Sequence, residues 1–113
     1  MGQVVFHRRY PFQAVHSLKH HLERRHGHQY SLEIGFLPQA GWKLADQCVQ
    51  ATILDRLHAR EIDVVEQATG ENIVNWIHAQ LQQTKLGPHL LSVALQETRK
   101  NRFVSAQTDV QYV

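Results

Sequence analysis

Two stretches near the start of the chain alternate apolar and polar side chains with a period of two, the pattern of a half-buried strand. Tyr10-Pro11-Phe12-Gln13-Ala14-Val15-His16 predicts the first strand. His26-Gly27-His28, continued by Gln29 to Phe36, predicts the second, with His26, His28, Tyr30, Leu32 and Ile34 on one face. After a turn at Leu37–Gly41 the period changes. Leu44, Cys48, Ala51 and Leu54 or Ile53 recur at three- and four-residue steps, which predicts a helix over Trp42 to Leu57. Ile62–Val65 reads as a short extended piece or a last helical turn. Thr69 then fits an N-cap, with Glu71 in the positive first turn and Ile73, Trp76, Ile77 and Leu81 as one stripe. Gly87-Pro88 should stop this helix. Leu90–Thr98 predicts a third strand with Leu91, Val93, Leu95 and Glu97 on one face. Arg99–Arg102 predicts a turn, and Phe103–Val113 a fourth strand. The expected order is β-β-α-α-β-β, an α+β chain.

Composition narrows the class. At 113 residues, residues 1–113 are expected to form a single domain. The chain is 42% hydrophobic and 19% charged, too apolar for disorder, and a core this small gains from oligomerisation. No apolar run reaches the length of a membrane span and no signal-peptide core follows Met1, so no membrane association and a cytoplasmic location are expected. Cys48 is the only cysteine, which excludes an internal disulfide. The net charge of +2 does not by itself argue for nucleic acid. Arg8, Arg9, Lys19, Arg24 and Arg25 do cluster in the first quarter, where they could receive a phosphorylated molecule or form a solvated rim. A nucleic-acid-binding module is the weaker reading, because no aromatic residues beyond Tyr10 interleave with them.

The candidate chemistry sits on the two strands. If they are neighbours, His16, His26 and His28 converge, and three imidazoles are the ligand set of a catalytic zinc with one open position. The competing reading is three polar residues on a half-exposed strand. Glu97 continues an apolar face, which is unusual for a carboxylate unless something pairs with it.

Phe12-x-Ala14-x-His16, His26-Gly27-His28, Thr69-Gly70-Glu71-Asn72 opening a helix and Glu97-Thr98 ending a strand together resemble the 6-pyruvoyl-tetrahydropterin synthase family, which includes the 6-carboxytetrahydropterin synthases. The resemblance runs from about Val4 to Ala106 and takes in the Gly41-Trp42 turn. It implies the tunnelling fold: a four-stranded antiparallel sheet with two helices on one face, assembling as a trimer or hexamer into a barrel with active sites between subunits. It implies zinc on His16, His26 and His28. It implies 7,8-dihydroneopterin triphosphate as substrate, with Glu97 anchoring the pterin and Thr98 and Thr69 making further pterin contacts. The implied activity is that of a carbon-oxygen or carbon-carbon lyase.

The chain also departs from that family. Leu22 stands where the family's nucleophilic cysteine is expected. The family's Asp-His pair falls on Leu54-Asp55-Arg56 or Leu57-His58-Ala59, and neither keeps it. Glu23, in Glu23-Arg24-Arg25-His26-Gly27-His28, is similar to a subgroup in which a glutamate replaces the cysteine and the substrate side chain is cleaved. Glu23 is therefore the candidate base, or else a loop glutamate paired with Arg24 or Arg25. The alternative is an impaired member that binds zinc and a pterin without this chemistry.

Overall fold

The structure, a computed structural model, describes residues 2–17 and 25–106; the side chains at positions 16, 17, 25 and 26 lie outside that description. The alternation of the first 36 residues produces a long antiparallel hairpin of β1 (Phe6–Ser17) and β2 (Arg25–Phe36). Its register runs from Phe6 opposite Phe36 to Ser17 opposite Arg25. β2 pairs on its other side with β4 (Leu90–Glu97), and β4 pairs with β5 (Asn101–Ala106), both antiparallel.

One expectation needs correcting. The sheet has five strands in the order β3-β1-β2-β4-β5 and is mixed, not four antiparallel strands. The extra strand, β3 (Arg60–Glu61), lies parallel to β1 beside Ala14 and Val15. It precedes the expected extended piece at Ile62–Val65, because Ala59 and Ile62 donate their N–H groups to Gln13 and Val15. A two-residue strand has no side-chain period to reveal it.

One face of the sheet carries the core. Phe12, Tyr30, Leu32, Ile34, Val93 and Leu95 are buried against two helical rods. A bulge between Gly35 and Phe36 shifts the register, so Leu90 and Val93 enter the core while the expected Leu91 is only partly buried. The first rod is α1 (Trp42–Val49), a π-helical turn over Gln50–Leu54, and α2 (Asp55–Leu57). Its fully buried residues are Ala45, Val49, Ile53 and Leu57, so the expected stripe through Leu44 and Cys48 is displaced. Spaced four apart, these residues would drift about 40° per step around an α-helix of 3.6 residues per turn. The wider π turn takes up that drift and keeps all four on the sheet.

The second rod, α3 (Gly70–Gln82), starts as expected: the Thr69 side chain accepts the Asn72 N–H. It ends before Gly87-Pro88, because the Thr84 hydroxyl donates to the Leu81 carbonyl and closes the last turn. Gly87 and Pro88 instead begin a short 3₁₀ turn. The expected fourth strand is β5, and residues 107–113 lie outside the described residues. Among the described residues, no helix is long and apolar enough to cross a membrane.

Candidate functional site

The hairpin overhangs β4 and β5. β4 reaches only as far as Tyr30, which stands opposite Glu97, and the Thr98 N–H then meets the Gln29 carbonyl. Among the described residues, the Arg25–His28 end of β2 has β1 as its sole strand neighbour. Here the register sets His16 opposite His26, and Ala14 opposite His28. Directly opposed residues of an antiparallel ladder share a face, and so do residues two apart. Positions 16, 26 and 28 therefore belong to the face that carries Tyr30 and Glu97.

On that face the structure brings His28 and Glu97 together. His28 Nε2 lies 3.4 Å from Glu97 Oε1, and their side chains are 21% and 17% exposed. A cavity of about 310 Å³ adjoins His28, lined by Ala14, Val15, Gly27 and Ala59 among others.

Other expected site residues stand differently. Thr98 is exposed at φ 56°, a left-handed conformation costly for a β-branched residue, and lines a wider groove with Gln29, Gln96 and His58. The Thr69 hydroxyl oxygen is engaged in the α3 cap. Glu23, Arg24 and Lys19 lie outside the described residues, as does the Arg25 side chain.

The basic cluster is divided by the alternation of β1. Arg8 reaches α1, where Nε and Nη2 bond the two Asp46 oxygens at 2.6 and 2.9 Å. Arg9 lies 3.6 Å from Glu33, which Arg102 also meets at 3.1 Å. Each of these two arginines thus has a carboxylate partner.

The two segments on which the family's Asp-His pair could fall stand in different places. Asp55 accepts a 2.7 Å bond from Gln50 on the first rod. Leu57-His58-Ala59 lies against β1 instead: the Gln13 N–H donates to His58 Nδ1 at 3.2 Å, and Ala59, at φ 59°, lines the cavity beside His28. The residue facing the cavity from this segment is an alanine, which transfers no proton. His58 accepts through Nδ1, so its neutral form carries the proton on Nε2.

A residue that sequence reasoning did not single out for the site is Tyr30. It is 2% exposed, stacks on Phe12 at 5.0 Å, and packs edge-to-face with His28 at 6.0 Å. Burial, and then the Glu97 carboxylate, hold its phenol above the ordinary range. Its place on the histidine face was readable from the alternation; that its hydroxyl has no hydrogen-bond partner among the described residues was not.

The family profile described as 6-pyruvoyl tetrahydropterin synthase matches residues 6–107, nearly the whole chain. This chain belongs to that family. The solved structure of Caenorhabditis elegans 6-pyruvoyl tetrahydropterin synthase superposes with a TM-score of 0.81, covering 96% of this chain and 98% of that one. At 21% identity this likeness speaks for a shared fold. Two curated sequences, the Trk system potassium uptake protein TrkA of two Mycobacterium tuberculosis strains, are each 36% identical over 64 residues. That match takes in 57% of this chain and 27% of theirs, so the chain spans about a quarter of those proteins.

Proposed function

We propose that this member of the 6-pyruvoyl tetrahydropterin synthase family is a zinc-dependent lyase acting on 7,8-dihydroneopterin triphosphate. The observation that carries the reading is the meeting of His28 with Glu97 on the face where the register pairs His16 with His26. The donor types suit zinc: His16, His26 and His28 hold adjacent register positions on one face, and a cavity adjoins His28. When bound, zinc supplies Lewis acidity to the hydroxyl groups of the substrate side chain.

The protein groups divide the remaining work. The Glu97 carboxylate accepts from the amino and ring N–H donors of the pterin, a charge-assisted pair of bonds. Thr98 follows Glu97 directly and adds a polar contact, and the Thr69 hydroxyl retains its proton to donate at the start of α3. Glu23 serves as the base that accepts a substrate hydroxyl proton as the side chain is cleaved. The overhanging hairpin supports assembly into a ring, since it leaves the histidine end of β2 without a second strand neighbour among the described residues. The product follows from which bond breaks, and the missing cysteine favours release of a hydroxymethyl pterin. The rival is a zinc- and pterin-binding relative without this chemistry, and Ala59 at the cavity favours it.

One experiment separates the two. The purified protein should contain about one zinc per chain, and His26→Ala should lose it. Incubation with 7,8-dihydroneopterin triphosphate should then give turnover in the wild type and at least ~100-fold less in Glu23→Ala. Full zinc in His26→Ala would overturn the ligand assignment. Zinc without turnover would leave the binding relative, and wild-type turnover in Glu23→Ala would remove the base.

A further inference from the structure

Tyr30 carries an unexplained group. Its hydroxyl is sealed from solvent and has no hydrogen-bond partner among the described residues. A buried polar group without a partner costs about 1–3 kcal/mol. A phenylalanine would fill the same space and keep the stack on Phe12 without that cost. The ring is stacked on Phe12 and packs edge-to-face with His28, so the hydroxyl is delivered to one place.

The position of the ring limits what the hydroxyl can serve. Because it is buried, a ligand entering from solvent does not reach it directly. Glu97 is the residue opposite Tyr30 across β2 and β4, and its charge adds to burial in holding the phenol above its ordinary range. Opposed side chains in such a ladder start about 4.5–5.5 Å apart at Cβ. In the present arrangement the Glu97 carboxylate is turned toward His28 Nε2 at 3.4 Å, beyond the usual length of an N–H···O bond. That imidazole nitrogen has a single position to offer. Once it is committed to another ligand, this contact with the carboxylate is given up.

We propose that the Tyr30 hydroxyl is the donor reserved for Glu97 in the ligand-bound state, fixing one carboxylate oxygen so that the other faces the ligand. Tyr30 is then a positioning residue acting through Glu97. The inference rests on the reading of Glu97 as the ligand's anchor and adds the group that orients it. It also accounts for the orphan hydroxyl, as a group whose acceptor arrives by rotation of a neighbouring side chain.

The test is a fluorescence titration with neopterin on four proteins: wild type, Tyr30→Phe, Glu97→Gln and the double variant, each with a thermal melt. Tyr30→Phe should bind ~10-fold more weakly, the effect of one bond to a charged group, while melting at the same temperature or higher. In the Glu97→Gln background the same change should cost less than about 2-fold, because its acceptor is altered. Unchanged affinity in Tyr30→Phe overturns the proposal. So does an equal loss in both backgrounds, or a marked fall in melting temperature, which would make the hydroxyl a structural group. If the wild type binds no neopterin, the pterin reading itself falls and this inference falls with it.

Discussion

Asp46 shows how one side chain can join two elements. It accepts both Arg8 nitrogens, and the Tyr10 hydroxyl donates to it at 2.6 Å, so β1 is tied to α1. The Arg8 hydrogen bond, opposed by burial and helped by Tyr10, holds the Asp46 carboxyl below its usual range. A carboxyl depressed in the folded state adds stability that is present above its unfolded pKa of about 3.9 and is lost as pH falls through the lower folded value. Asp46→Asn should therefore melt a few degrees lower at neutral pH. The difference should shrink as pH drops below about 4, which melting curves across pH would show. Equal pH profiles would mean that the carboxylate contributes nothing. The partners of Asp46 lie 36 and 38 residues away in the chain, so nothing local in the sequence pointed to them. Positions 26 and 28, by contrast, were readable as one face from a two-residue period.

At the scale of elements, α3 and β5 meet at a glycine. A Cβ on Gly70 would overlap the Phe103 ring, so the first turn of α3 lies directly on β5. Gly70→Ala should force one of them aside and cost about 1–3 kcal/mol in thermal or urea unfolding. Adding Phe103→Ala should recover part of that loss, whereas Gly70→Ala with wild-type stability would deny the contact. The start of this helix was legible because Thr69 caps it with its own side chain, a local event. Its end was not, since Thr84 closes the turn before Gly87-Pro88 is reached. The first rod teaches the same lesson. Several apolar series run through Trp42 to Leu57, and the sheet selected Ala45, Val49, Ile53 and Leu57 by means of a π turn.

The whole molecule is elongated, 52 × 31 × 24 Å, with a hairpin whose histidine end projects past β4. β5 forms one edge of the sheet, and β3 covers β1 only beside Ala14 and Val15. Edges of this kind are templates for pairing with another chain. The proposed ring assembly uses them, and sedimentation should then give a mass several times the 13.1 kDa of one chain. A monomer at micromolar concentration would exclude an assembly of that strength. By itself the sequence determined the strand faces, the helix start at Thr69 and the family motifs, because each depends on residues a few positions apart. Tertiary structure decided the fifth strand, the division of Arg8 from Arg9, the meeting of His28 with Glu97 and the isolation of the Tyr30 hydroxyl. Those depend on register and on which strand ends where, and contacts between distant segments are set by packing of the whole sheet.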